Sequence, residues 1–388
     1  LMLYLGIDIG KNSHVASLID ENKSVLFKAF SFPNSVEGAE SLIQKLPSSD
    51  VEIGMEATGH YWLSLYSFLI SKNFSVHVIN PIQTDAWRHG FEVRKRKTDV
   101  IDSLIIADLL RYGNFVDTSL ADENMRSLRD LSRFRVYLVS SIGDLKRKVI
   151  ALLDQVFPEY TSTFSDIFGK TSSEILKQIS APKDFEEITS DKLSSLLEHI
   201  YLKKYATKKI QELSSKAHSS FGISFCLDSF SLQIKLLMEQ ISFIEDQIKL
   251  VEKEIEEIMD KLNSPITSIP GIGIVTGAAI LGEIGDISRF SSASKLVAYA
   301  GIDASVSQSG EYEATINHMT KRGSVFLRKA LFHSALKAEF SDPVFQAFYQ
   351  KKIQEGKHHL VATNAVARKL IHTIYAILTK NVEYKIQS

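Results

Sequence analysis

Short apolar strands alternate with helical stretches over the first eighty residues, and no other feature of the chain limits its fold as strongly. Leu3-Tyr4-Leu5-Gly6-Ile7-Asp8-Ile9 is an apolar strand, and His14 to Ile19 and Val25 to Phe32 supply two more. Val36 to Leu46 has helical spacing, Val51 to Met55 is a strand running into Glu56, Tyr61 to Ile70 is helical and Ser75 to Ile79 is a strand again. The segment reads as an α/β domain whose first three strands meander. From Thr98 to Arg111 the period is helical, with Val100, Ile101, Leu104, Ile105 and Leu109 apolar, and helical patterning resumes from Glu123 to Phe157. The expected first domain is therefore 1–157.

A helical middle, 158–262, follows. Its first part, from Pro158 to about Phe230, breaks at Ser180-Ala181-Pro182 and at Ser219 to Gly222 and suggests no chemistry. Then Ile234, Leu237, Ile241, Ile244, Ile248, Val251, Ile255, Ile258 and Leu262 recur at spacings of three and four, the seam of a coiled coil. Such a seam is filled by a second chain, giving a dimer or tetramer, or by an antiparallel helix of its own chain. The third region, 263–388, is mainly helical and surrounds a Ser- and Gly-rich loop, Asp303 to Glu311.

With 44% hydrophobic residues among 388, the chain has apolar material for two or three cores. A single cysteine, Cys226, excludes an internal disulfide framework and any cysteine-rich zinc module, which suits a reducing cytoplasm. No apolar run approaches the roughly 20 residues of a membrane span, and no membrane partner is expected. Lysine and arginine (45) balance aspartate and glutamate (46), so bulk charge does not announce a nucleic-acid partner. The distribution does: basic residues cluster at Arg94-Lys95-Arg96-Lys97, along Arg126, Arg129, Arg133 and Arg135, at Lys146-Arg147-Lys148, and at Lys321-Arg322 with Arg328-Lys329. Any one run is ordinarily a solvated helix face; four beside acidic motifs point to phosphates.

Asp8 lies near the end of the first strand between Gly6 and Gly10, where the backbone admits close approach of a ligand. Glu56 ends a later strand. Asp99 and Asp102, three residues apart, project from one face of the helix that starts near Thr98. Singly, each has a bland reading as a strand-end acid or first-turn helix acid. Taken in order, an acid on the first strand, one on a later strand and two on a following helix is how RNase H-like folds gather carboxylates around divalent cations. Two Mg²⁺ ions, with Mn²⁺ as the alternative, would relieve the mutual repulsion and act on a phosphodiester.

Four N-terminal motifs, Gly6-Ile-Asp-Ile-Gly-Lys11, Gly54-Met-Glu-Ala-Thr-Gly-His-Tyr61, Asn80-Pro81 and Arg96-Lys-Thr-Asp-Val-Ile-Asp102, resemble the DEDD-type insertion-sequence transposases of the IS110 family. The C-terminal region resembles the same family at Ser268-Ile-Pro-Gly-Ile-Gly273, Gly285-Asp-Ile-Ser-Arg-Phe290, Ala298-Tyr-Ala-Gly-Ile302, Gln308-Ser-Gly310, Lys321-Arg-Gly323 and Leu327-Arg-Lys-Ala-Leu331. The resemblance covers both ends of the chain and implies a RuvC-like catalytic domain, a coiled-coil connection and a C-terminal domain with a nucleophilic serine. Asp8, Glu56, Asp99 and Asp102 match the family's metal-binding acids. The family serine precedes a glycine in the loop after Ala-Tyr-Ala-Gly, which selects Ser309, with Ser307 next; this loop departs from the commoner proline-containing form. The resemblance also implies donor and target double-stranded DNA and a structured guide RNA as partners, and strand exchange through a phosphoserine link, carried out in the cytoplasm at the nucleoid.

Lys321, Arg322 and Arg328 are candidate phosphate contacts beside that serine. The stretch Ile269 to Ala278 resembles a helix-hairpin-helix, in which Gly271 and Gly273 would let backbone N–H groups meet a phosphate; its plainer reading is a glycine-rich turn between packed helices. Three other functions compete. A RuvC-like nuclease or junction resolvase would use water and need no serine. Gly-Ile-Asp-Ile-Gly also resembles the first phosphate loop of actin-like ATPases, but no later phosphate or adenosine motif accompanies it. A non-catalytic nucleic-acid-binding protein would not need all four acids.

Overall fold

The computed structural model describes residues 2–48, 50–57, 59–91, 98–113, 115, 122–186, 188–198, 200–303, 308–309, 312–313 and 319–386. Contacts divide the chain into two compact units, Leu1–Leu120 and Ala121–Ser388.

The first unit is an α/β fold. Strands β1 (Leu3–Ile9), β2 (Ser13–Asp20) and β3 (Val25–Pro33) meander as expected, followed by α1 (Val36–Lys45), β4 (Val51–Glu56), α2 (Trp62–Ser71), β5 (Ser75–Ile79), α3 (Pro81–Phe91) and α4 (Asp99–Tyr112). The five strands form one sheet in the order β3-β2-β1-β4-β5. Short links make β1, β2 and β3 antiparallel, whereas the helices before β4 and β5 carry the chain back so that both run parallel to β1. Leu3, Leu5 and Ile7 alternate onto one face, where they meet Leu42 of α1 and Leu65 and Leu69 of α2 in a buried core.

Gly6 and Gly54 point to the opposite face, and they set how closely α4 can approach. A Cβ at Gly6 would stand 2.0 Å from the Ser103 carbonyl oxygen, and one at Gly54 2.5 Å from Leu110 Cδ1. Ile106, Leu109 and Leu110 of α4 pack there with Ile79. Thr98 caps α4 by accepting a hydrogen bond from the Ile101 N–H, and Gly113 ends it in the left-handed region at φ 76°.

Helices dominate the second unit: α5 (Glu123–Val156), α6 (Lys170–Leu176), α7 (Pro182–Glu186), α8 (Ser190–Glu198), α9 (Lys203–Ala217), α10 (Leu227–Leu262), α11 (Ile274–Ile284) and α12 (Ala293–Ala300). A two-stranded pairing of β6 (Gln308–Ser309) with β7 (Tyr312–Glu313) precedes α13 (Val325–Ser341), α14 (Pro343–Gln354) and α15 (His359–Lys380). Two cores share the long helices. Leu153 of α5 and Ile234 of α10 belong to one, which α6 to α9 complete. Leu128 of α5 and Ile255 and Ile258 of α10 belong to the other, with α11 to α15. The early part of α5 thus meets the late part of α10, and the two helices run antiparallel.

One sequence expectation takes a different form. Glu123 to Phe157, grouped by sequence with residues 1–157, packs in the second unit, because its apolar stripe is shared between that unit's two cores. Along the expected coiled-coil seam, Ile234, Ile241, Ile255 and Ile258 are buried beside α5, the antiparallel helix of the same chain that the spacing allowed. Periodicity identified the buried stripe but not its partner.

Candidate active site

Ile7 stands opposite Met55 in the parallel ladder, so Asp8 and Glu56 follow as neighbours at the ends of β1 and β4. Both lie on the sheet face that Gly6 and Gly54 open to α4. Asp99 and Asp102 occupy the first turn of α4, where the helix dipole favours acids. Asp99 is exposed, Asp8 and Glu56 are half-buried, and Asp102 is buried. The structure therefore places Asp8 and Glu56 side by side near the ends of adjacent strands, with Asp99 and Asp102 in the first turn of the helix that covers that face.

Helix α3 supplies partners that sequence reading missed. Arg88 places Nη2 3.0 Å from Asp102 Oδ1, and Thr84 donates its hydroxyl proton to Glu56 Oε2 at 2.6 Å. The two side chains sit four residues apart on one face of α3. A usable signal was present in Asn80-Pro81, since proline is favoured in the first turn of a helix. By contrast, the acid six residues further along α4, Asp108, is occupied by Lys23, Trp87 and Arg111 and serves the packing of α4.

The donor set is carboxylate oxygen, the chemistry a hard divalent cation takes, and Arg88 holds Asp102 Oδ1 where such a cation would share it. Among the described residues no group of three or more such side chains stands ready-made at metal-holding spacing.

In the second unit, the chain leaves α12 through Gly301 at φ 67° and enters the expected serine loop. Both ends of the loop are tied down. Lys321 N–H donates to Gly301 O and Thr320 N–H to Asp303 O, each at 3.0 Å, and the Thr320 hydroxyl donates to the Asp303 carboxylate. Arg328 Nη1 donates to Ala300 O at 3.0 Å, and Arg368 Nε, from α15, to Ile302 O at 2.6 Å. Gly323 is required here, since a Cβ would lie 1.9 Å from the Tyr299 carbonyl oxygen. The Ser309 backbone pairs with Tyr312; its side chain, Ser307 and Arg94 to Lys97 lie outside the described residues.

Comparison with known proteins supplies what geometry alone does not. A model of DEDD-type IS110 transposases matches residues 5–158, and one described as the transposase IS116/IS110/IS902 family matches 263–350. The chain belongs to the IS110 family of transposases. Membership makes it an enzyme of DNA rearrangement, with insertion-sequence transposition as the family's work. Relatives include a pilin gene-inverting protein of Moraxella lacunata, 27% identical over 97% of this chain and 96% of its own length. A putative transposase of the IS117 mini-circle in Streptomyces coelicolor is 25% identical over 97% and 94% respectively.

Against that family background, the basic residues divide into two groups. Arg133 forms a two-pronged ion pair with buried Glu283, at 2.6 and 3.0 Å, and Arg135 pairs with Glu252 at 2.6 Å, so these two hold helices together. Burial works to raise the Glu283 pKa, but Arg133 and the Ser324 hydroxyl overcome it and hold the carboxyl below the usual range. Arg328 commits one nitrogen to the loop stem, whereas Lys321 and Arg322 are exposed. Gly271, at φ 89°, allows α13 to approach: a Cβ would meet Ser334 O at 2.6 Å. At Gly273 an added Cβ meets nothing within 4 Å.

Proposed function

We propose that the protein is the transposase and site-specific recombinase of an insertion sequence, cutting and rejoining DNA through a covalent serine link. The observation that carries this reading is the alignment of Asp8 and Glu56 at the ends of adjacent parallel strands, facing the first turn of α4, in a chain with both IS110-family domains. The sheet order, with three meandering strands and two parallel additions, supports an RNase H-like, RuvC-type catalytic domain. Asp8, Glu56, Asp99 and Asp102 would hold Mg²⁺, or Mn²⁺ in its place, which when bound supplies charge neutralisation around a scissile phosphate.

The chain's own residues carry the covalent chemistry. The Ser309 hydroxyl oxygen attacks phosphorus, its proton passes to a neighbouring base or water, and the P–O bond to the leaving sugar breaks as that sugar oxygen takes up a proton from solvent to leave as a hydroxyl. Attack of a second strand's hydroxyl on the phosphoserine then forms the new phosphodiester and returns the proton to Ser309. The bond energy is conserved, so strands are exchanged rather than hydrolysed. Lys321 and Arg322, with the remaining nitrogens of Arg328, hold phosphates by charge-assisted hydrogen bonds, and Arg94 to Lys97 and the Gly271–Gly273 turn add backbone contacts. Donor and target are double-stranded DNA, a structured guide RNA selects them by pairing, and the reaction takes place at the nucleoid. Helix α10 also exposes Leu236, Phe243 and Leu250, spaced seven apart, which would suit a second copy.

A denaturing gel of the protein with labelled DNA, guide RNA and Mg²⁺ tests this. A protein–DNA band is expected for the parent and is absent from Ser309→Ala and Asp8→Ala. A band that survives Ser309→Ala moves the nucleophile to Ser307. Cleavage by the parent without any band, abolished in Asp8→Ala, would instead make water the nucleophile and the enzyme a nuclease.

A further inference from the structure

A groove of about 880 Å³ opens in the second unit among α5, α11 and α13. Val136, Ile274, Ala279, Phe326 and Ala330 give it an apolar floor. One wall is α13, on which Lys329, His333 and Lys337 follow at intervals of four and so share a face. All three are exposed, and none has a carboxylate partner among the described residues. The other groove charges largely cancel: Arg133 answers Glu283 and Arg135 answers Glu252, leaving Glu256 against the row on α13.

The groove also meets the start of a helix. Helix α11, eleven residues long, starts there at Gly273, and no side chain caps it, so the first-turn N–H groups of Ile274 to Thr276 meet the groove unfilled. Ser132 lines the same groove, is 6% exposed, and has a hydroxyl without a hydrogen-bond partner. A buried hydroxyl of this kind calls for a ligand or water to satisfy it. Arg133 stacks 4.6 Å from the centre of the Phe326 ring, keeping that ring in place beside the floor.

Two lysines flanking a histidine beside an apolar, aromatic floor suit one kind of polyanion better than another. A duplex presents phosphates and keeps its bases stacked inside, which would leave the floor bare. A single strand turns its bases onto the floor while its phosphates follow the cations. We infer that, given the nucleic-acid chemistry proposed above, this groove binds a single-stranded polynucleotide segment. Bases rest by Phe326, phosphates run along Lys329, His333 and Lys337, and one phosphate meets the α11 N-terminus.

Fluorescence anisotropy of the full chain with short labelled oligothymidylate, oligouridylate and a duplex of equal length tests this. In the double variant Lys329→Glu and Lys337→Glu, both exposed positions, single-strand affinity is expected to fall about tenfold and its salt slope by about 1.4. Duplex affinity stays within about twofold. Whichever single strand loses more assigns the source as DNA or RNA. A second readout needs no variant: oligouridylate carrying 4-thiouridine is expected to crosslink the parent within the α13 peptide that contains Phe326. Equal weakening of the duplex would make the groove a double-strand backbone contact, and crosslinks elsewhere with unchanged affinities would remove nucleic acid from it; either result overturns the inference. Neither result touches the serine band, which tests the catalytic reading separately.

Discussion

The acids of the first unit and the serine loop of the second are held in place by contacts of different range. Asp8 and Glu56 ride on paired strands and Asp102 on the helix laid across them, so regular backbone hydrogen bonding fixes all three. The stem of the serine loop depends instead on single side chains from afar: Arg328 lies 28 residues from Ala300, and Arg368 lies 66 from Ile302. A site on regular elements is disturbed by changing its charges. A site on a clamped loop is disturbed by removing one clamp while every helix remains folded.

The largest effect expected tests the first half of that contrast. Arg88→Ala leaves buried Asp102 without the cation that stands 3.0 Å away, and breaking a pair of this kind costs about 3–5 kcal/mol. Urea unfolding of the variant in EDTA is expected to show that loss, and added Mg²⁺ to recover part of it by binding at Asp102. A loss under about 1 kcal/mol would mean that the sheet and α4 hold Asp102 without help from charge, as they would hold an apolar side chain.

Arg133→Met probes a pair inside the second unit. Glu283 is 4% exposed and would lose both prongs of its partner, for an expected cost of about 3 kcal/mol, at the lower end because the Arg133 side chain is partly solvated. The pH dependence has a definite sign. The Glu283 carboxyl is held below its ordinary 4.5 in the fold, so its stabilising contribution is present above 4.5 and is lost as pH falls through the depressed value. Parent and variant unfolding curves should therefore converge on acidification below that pH. Curves that stay parallel would show that the pair contributes packing rather than charge.

Arg368→Met moves to the loop. The expected outcome is a covalent-band yield about tenfold lower with a stability change of about 1 kcal/mol, the ordinary worth of one hydrogen bond. DNA affinity measured by anisotropy should remain within about twofold, since the side chain acts by positioning Ile302. A stability loss with an unchanged yield of band would place Arg368 among helix-packing residues and erase the contrast between the two sites.

The same contrast explains what the sequence disclosed. Strands at Leu3–Ile9, Ser13–Asp20 and Ser75–Ile79, and the helix with Asp99 and Asp102 in its first turn, follow from periodicity and capping, which are local properties. Thr84 and Arg88 escaped notice because they reach their acids only through the fold, and the helix that carries them shows little apolar rhythm between Pro81 and Phe91. Arg368 carries no signal at all in its neighbourhood, because its partner is a backbone carbonyl in another helix-to-loop junction. Ser309 was selected by family likeness rather than by pattern. The seam on α10 was legible as a buried stripe, but α5 and a second copy would have written the same spacing.

The smallest effect concerns the frame that carries both clamps. Glu339 on α13 is 1% exposed and accepts a hydrogen bond from Thr363 of α15 at 3.0 Å, joining the helix of Arg328 to the helix of Arg368. Burial raises its pKa above the ordinary 4.5, and the Thr363 hydroxyl and nearby His359 only partly oppose this. The neutral carboxyl is thus the form the fold prefers: its contribution is complete below 4.5 and is lost as pH climbs through the raised value. Glutamine keeps the neutral shape at every pH, so Glu339→Gln should melt about 2 °C above the parent at neutral pH and match it in mild acid. Covalent-band yield should not change, because the α13–α15 frame remains joined whichever form occupies it. A variant that melts lower than the parent at neutral pH would show that the carboxylate is stabilised in place, and the frame around the loop would then depend on charge much as the acid site does.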